Sequence, residues 1–152
     1  MQPIVINSEM RLAVVCVALG ACASAALSPK DSFFLPNFLF FWGSQVLVLA
    51  LAVAFRLRPA FVAGVALSLA LYISLFGGWV FSRAHPDSMA WVGYMFSLPG
   101  AVVGLLSVAS WVKARPSAGP LASGSLAAAA VAGGIAVNQA VVCGTVMYCG
   151  GK

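Results

Sequence analysis

Charge is what this chain has least of. Only 7% of its 152 residues are Asp, Glu, Lys or Arg, and just three of them are acidic. A soluble domain carries roughly a quarter charged residues, so there is too little polar material here to cover a water-soluble fold. Histidine is scarcer still, with His85 alone. A lone imidazole cannot assemble a metal site without ligands from elsewhere, and His85 reads as a solvated loop residue beside Arg83 and Asp87. The four cysteines, Cys16, Cys22, Cys143 and Cys149, include no CxxC pair, so the usual zinc and redox spacings are missing. No metal, cofactor or catalytic residue is expected on these grounds.

What fills the chain is apolar. Hydrophobic residues make up 62% of it, and its mean hydropathy is +1.04. Lipid must be the solvent for most of it. The net charge of +5 and pI near 9.4 raise the question of nucleic acid. The basic residues, however, are scattered as singles and pairs at the ends of apolar runs and form no basic face. They are read as loop charge that sets membrane orientation, with no nucleic acid as partner.

The charge-free intervals predict an all-α, polytopic transmembrane helical bundle of five spans, because a crossing helix needs about 20 mostly apolar residues. The expected spans are 12–27, 36–55, 59–82, 89–112 and 121–143, within one integral membrane domain over 1–152. The breaks have turn chemistry: Ser28-Pro29-Lys30-Asp31, the very tight Arg56-Leu57-Arg58-Pro59, Arg83-Ala84-His85-Pro86-Asp87, and Lys113 through Pro120. Proline at a helix start is tolerated because first-turn N–H groups have no intrahelical partner. All loops are short, so successive spans should run antiparallel.

The basic residues favour a cytoplasmic N-terminus. That face would carry Arg11, Arg56, Arg58, Lys113 and Arg115, against Lys30, Arg83 and Lys152 on the other. A bacterial inner membrane with the C-terminus outside is the expected setting. Trp42, Trp79, Trp91 and Trp111 fall near span ends, where aromatic residues anchor at the interface.

Residues 1–27 also carry a second reading. Arg11, a short apolar run and Cys22-Ala23-Ser24-Ala25-Ala26 resemble a signal peptide with a small-residue cleavage site. Leu19-Gly20-Ala21-Cys22 resembles a bacterial lipobox. Cleavage would leave four spans in the same orientation. An uncleaved first span is the favoured expectation.

Within each cysteine pair the spacing is six residues, about 9 Å along a continuous helix axis, which is too far for a disulfide. A break at Gly144 would let Cys143 and Cys149 close a small loop on the oxidising outer side. Cys22 should lie near the same membrane face and could pair with either of them; otherwise Cys16 and Cys22 read as small apolar packing residues.

The uncharged polar residues carry most of the remaining information. Gln45 in the second span and Asn138 and Gln139 in the fifth should lie in the outer half of the membrane. Amides in hydrocarbon need partners, and such pairs bring about 0.6 kcal/mol, rising to 1–2. The bland reading is glue between the second and fifth spans. The sharper one is a small polar cavity opening outward, with Tyr94, His85 and Asp87 at its mouth.

Small residues mark packing faces. Gly100-Ala101-Val102-Val103-Gly104 is a GxxxG, and the fifth span carries Ser125, Ala129 and Gly133 on one stripe with Ala130, Gly134 and Asn138 on the next. Such faces let helix backbones approach closely. Gly100, Gly104, Gly133 and Gly134 are the expected helix-packing glycines, with internal packing favoured over a partner subunit.

Three functions follow. The first is a non-catalytic membrane protein acting through helix–helix contacts: an accessory subunit, assembly factor or immunity protein, with the bilayer and a membrane protein or a second copy as partners. The second is an uncoupled transporter or channel for a neutral or weakly charged solute. Ion coupling is disfavoured, because proton relays use intramembrane Asp, Glu or His. The third is an outward-facing thiol–disulfide protein.

Overall fold

The computed structural model describes residues 8–83, 90–114 and 119–145. They form five helices: α1 Ser8–Leu27, α2 Phe34–Ala54, α3 Pro59–Phe81, α4 Ala90–Ala114 and α5 Pro120–Thr145. Each is long and apolar enough to cross a membrane. Four match the expected spans within two residues at each end. The first starts four residues early, so Glu9 and Arg11 lie on the opening turns of α1 rather than before it. The apolar run sets where lipid begins, and the helix continues past it.

The third helix is the central post. Of its span residues 67% are buried, against 22% for α1 and for α5. α1 and α5 both rest on α3, α4 packs along α5, and α2 lies across α1, α3 and α4. The packing is of two kinds. Between α3, α4 and α5 the backbones come close because the facing residues are small. A methyl group at Gly64 would run into the carbonyl of Gly124, and one at Gly100 or Gly104 into the carbonyls of Gly134 and Ala130. Between α2, α3 and α4 the space is wider and rings fill it. Phe41 meets Trp91 at 4.5 Å, Phe76 meets Trp91 at 5.7 Å, and Phe76 meets Tyr94 at 6.0 Å between centroids. Trp91 is therefore part of the packed interior as well as close to a span end.

The two turns described in full, after α1 and after α2, show how a short connection reverses the chain. At the tight α2–α3 break Arg56 takes φ 52°, the left-handed conformation that glycine usually supplies. Its N–H donates to the Val53 carbonyl at 2.8 Å, and the Leu57 N–H donates to that of Ala52 at 3.2 Å. These bonds satisfy carbonyls that the end of α2 would otherwise leave open. Pro59 then opens α3. In the first turn, Lys30 donates to the Ala25 carbonyl at 2.6 Å, and Asp31 accepts the Phe33 N–H at 2.8 Å.

Basic residues at span ends rest on aromatic rings. The Arg83 guanidinium lies 3.9 Å from the Trp79 ring centroid, and the ammonium groups of Lys30 and Lys113 lie 5.1 Å and 5.5 Å from Phe34 and Phe55. Such pairs hold a charged tip at the edge of an apolar body.

Candidate functional site

A chain of uncharged polar side chains passes through all five helices. It begins on α1 with Ser24, whose hydroxyl donates to the Gly20 carbonyl one turn back at 2.9 Å. Ser24 Oγ also accepts the Gln45 amide from α2 at 3.0 Å. Gln45 is 1% exposed and reaches α1 because Gly20 has no side chain: a methyl there would lie 2.8 Å from Gln45 Oε1. Gln45 and Ser44 both meet the Tyr94 hydroxyl of α4, the Ser44 contact at 3.3 Å.

Tyr94 is fully buried and stacks on Tyr72 of α3, with ring centroids 5.6 Å apart and planes 16° from parallel. Ser97, one turn along α4, locks the two rings. Its hydroxyl proton is shared between the Tyr72 hydroxyl and the Tyr94 carbonyl, each at 2.6 Å. Tyr72 then donates to Gln139 Oε1 of α5 at 3.3 Å, and Gln139 Nε2 donates to Cys143 Sγ at 3.4 Å. Cys143 is disulfide-bonded, and Cys16 and Cys22 are free thiols on α1. Cys149, the expected second half of the bridge, lies outside the described residues, as do His85 and Asp87.

The grouping differs from the expected glue between α2 and α5. Gln45 is brought together with Tyr94, but its amide bonds Ser24 of α1 and, more weakly, the Phe41 carbonyl at 3.4 Å. Asn138 and Gln139 also separate, because neighbours on a helix point about 100° apart. Gln139 faces α3, while Asn138 faces α4 and donates to the Phe96 carbonyl. That carbonyl lies one turn from Pro99 in the interior of α4. Proline has no N–H to offer the Met95 carbonyl four residues back, and Asn138 reaches the next carbonyl along, that of Phe96.

Among the described residues every buried side-chain nitrogen and oxygen has a hydrogen-bond partner, and no three His, Cys, Asp or Glu side chains gather as metal ligands would. The chain's hydroxyls and amides are neutral near pH 7 and are spent on one another. They fix helix register and hold rings in place.

No protein-family model, curated protein or solved structure matches this chain. Function therefore has to be argued from the geometry itself.

Of the four expected packing glycines, three act between α4 and α5. Gly100 and Gly104 meet α5, and a methyl at Gly134 would strike the Gly100 carbonyl. Gly133 points elsewhere, with nothing within 4 Å of where its side chain would start. Sequence reasoning missed the matching contact between α3 and α5. Ala60, Gly64 and Ser68 form a small stripe at four-residue spacing, and Ser68 Oγ donates to the Ala128 carbonyl at 2.8 Å. That spacing was the available signal. Ser24, Ser44 and Tyr72 were missed as well, because a single mid-span hydroxyl looks like any other packing residue.

Proposed function

We propose that this chain is a small non-catalytic protein of a bacterial inner membrane, with its N-terminus cytoplasmic and its C-terminus outside. It works by helix–helix contact with another membrane protein, as an accessory subunit, assembly factor or immunity protein. The supporting observation is the outward face of α5. That face exposes Ser125, Ala129, Ala132, Gly133, Ala136 and Ala140, with Val137 and Val141 the larger exposed residues of its outer half. The outward face of α2 is quite different, exposing Leu35, Leu39, Val46, Leu47 and Val53. Large aliphatic side chains suit lipid. A face of small residues gains little from lipid and lets a second backbone approach closely. α2 is dressed for lipid and α5 for a protein neighbour.

The polar chain fits this reading better than it fits transport, because its amides and hydroxyls bond one another rather than facing a path. The experiment is site-specific photocrosslinking from Gly133 and Ala129 in intact cells, with Leu47 of α2 as the lipid-facing control. A discrete protein adduct from α5 and none from Leu47 is expected. Crosslinks to lipid alone, together with solute flux through liposomes holding only the purified protein, would replace the proposal with a transporter.

A further inference from the structure

A furrow opens alongside α1 and α3 and crosses the full depth of the bundle. Its first part, about 430 Å³, is walled by the opening turns of α1, α3 and α5 and reaches down to Cys16, Leu67 and Ala128. Its second part, about 400 Å³, shares Leu67 and continues between α1 and α3 as far as Ala26 and Ser74. Along α1 the furrow therefore runs from Ser8 to Ala26, about 27 Å of helix axis. The hydrocarbon core of a bilayer is about 30 Å thick. An acyl chain belongs to one leaflet and would fill half of such a furrow. A crossing helix fills all of it.

The α1 wall carries a second observation. Ser8, Leu12, Val15, Leu19, Cys22 and Ala26 are all exposed, and they follow one another at alternating steps of four and three residues. Five of the six line the furrow. That spacing is the register in which one helix meets another along a left-handed seam. Every copy of the chain enters the membrane the same way round, so two copies are related by an axis along the membrane normal. Their α1 helices then run parallel, and residues of the same number face one another across the axis. The stripe can serve as both halves of such an interface, as a two-fold contact requires.

Area separates a second copy from a lone partner helix. A helix is about 10–12 Å wide, so seating half its circumference over this length hides about 450 Å² on each side. One such helix buries about 900 Å² in total, below the roughly 1,200–2,000 Å² of specific, stable interfaces. A two-fold pair makes the seat twice, with the α1–α1 contact common to both, and reaches about 1,300–1,500 Å².

We infer that this furrow is the dimer interface of the chain. α1 of a second copy lies in it, parallel to the resident α1, and the resident α1 lies in the furrow of that copy. Leu12, Val15, Leu19 and Cys22 meet their counterparts across the axis. Ala63, Gly64 and Ala70 of α3 leave a shallow floor on which the incoming helix can approach closely. The outer half of α5 stays uncovered, so the dimer does not rest on a partner there.

Cys22 is a free, exposed thiol, and it supplies a test in the intact membrane. A membrane-permeant oxidant should link two full chains through Cys22, and Cys22→Ser should abolish the linked dimer. In the Cys22→Ser chain, Val15→Cys or Leu19→Cys should restore it. Val14→Cys should not, although Val14 is 59% exposed, because it points about 120° away from the stripe. Native mass spectrometry of the purified protein reads the dimer without a crosslink. Leu67→Trp crowds the floor and Ser125→Trp the α5 wall, and each should weaken the dimer about tenfold, equivalent to about 1.4 kcal/mol. Ser125 is exposed, so that variant should fold even where Leu67→Trp does not, and circular dichroism checks both. Leu47→Trp, on the outward face of α2, should leave the dimer unchanged. A monomer that gives no Cys22 crosslink would overturn the inference. So would crosslinking from Val14→Cys as strong as from Val15→Cys, or a Cys22 adduct to a different protein in place of the second copy. A monomer that holds lipid until Leu67→Trp displaces it would give the furrow to lipid instead.

Discussion

Asn138 of α5 donates its side-chain amide to the main-chain carbonyl of Phe96, three residues before Pro99 of α4. A proline inside a helix withholds one N–H and crowds the turn before it. In water the loosened carbonyls find solvent. In hydrocarbon each unsatisfied group costs several kcal/mol unless protein supplies a donor. Asn138 gets close enough because Gly100, on the next turn of α4, and Gly134, one turn before Asn138, have no side chains. A methyl at Gly100 would sit 2.5 Å from Asn138 Cβ. Proline, glycine pair and asparagine lie together at the α4–α5 contact.

Asn138→Leu should therefore destabilise the bundle by about 1 kcal/mol, near the upper part of the range for interhelical bonds in membranes. If the bond serves the proline, the loss should shrink in a Pro99→Ala background, where the restored N–H can bond the Met95 carbonyl four residues back and draw the adjoining Phe96 carbonyl into the helix. A double-mutant cycle followed by unfolding in bicelles measures the coupling. Equal losses in both backgrounds would separate Asn138 from Pro99.

The Ser24–Gln45 bond ties α1 to α2 and should behave differently. Ser24→Ala takes from the buried Gln45 Nε2 its shorter bond and leaves it only the Phe41 carbonyl at 3.4 Å, and an under-satisfied buried amide is costlier than the bond is worth. We expect a loss of about 1–2 kcal/mol for Ser24→Ala. The double variant Ser24→Ala, Gln45→Leu should be no worse than the single one. Thermal melts of the detergent-purified protein would show this, and strictly additive losses would count against it.

Architecture was legible in the sequence and partnering was not. Charge placement marks spans because ions cannot enter hydrocarbon cheaply, so the helices could be read to within a few residues. The packing face of α4 was legible too, since Gly100 and Gly104 form a dense local pattern, but that pattern did not name α5 as its neighbour. Gly64 and Gly124 meet just as closely, yet each is a single glycine in its own neighbourhood, and the match emerges only when two helices are side by side. The same limit explains Gln45. Its burial was foreseeable from its place in the second span, but its partner depends on helix rotation. The hydroxyls of Ser24 and Tyr72 carry no sequence mark that separates them from ordinary packing residues.

Arg56 offers a test of the tight α2–α3 turn. Its φ of 52° places a bulky residue where the left-handed conformation costs about 1–2 kcal/mol. Arg56→Gly should relieve that cost, with part of the gain offset by the greater freedom of glycine in the unfolded chain. A net stabilisation of about 0.5–1 kcal/mol is expected. Arg56→Ala keeps the strain and should give no gain, which separates relief of the backbone from loss of the charge. Unfolding midpoints for the three proteins decide it, and a gain with alanine equal to that with glycine would show that charge, not backbone, is responsible.

Two adjacent glycines on α5 should respond in opposite ways. Gly134 lies against α4, where a methyl would meet the Gly100 carbonyl and the Gly104 Cα. Neither is a flexible side-chain end, so the helices themselves would have to separate. Gly134→Val should cost about 1–3 kcal/mol, as overpacking does elsewhere, and loosen the Asn138–Phe96 bond with it. Gly133 has open space around it, so Gly133→Val should leave the melting behaviour of the isolated protein nearly unchanged. The same substitution sits in the middle of the small-residue face proposed for a partner, and a branched side chain there would keep the second backbone away. Gly133→Val should therefore abolish the photocrosslink read from Ala129 while sparing the fold. A stable Gly133→Val protein that still forms the adduct would show that the partner, if crosslinked, docks without close approach at this face.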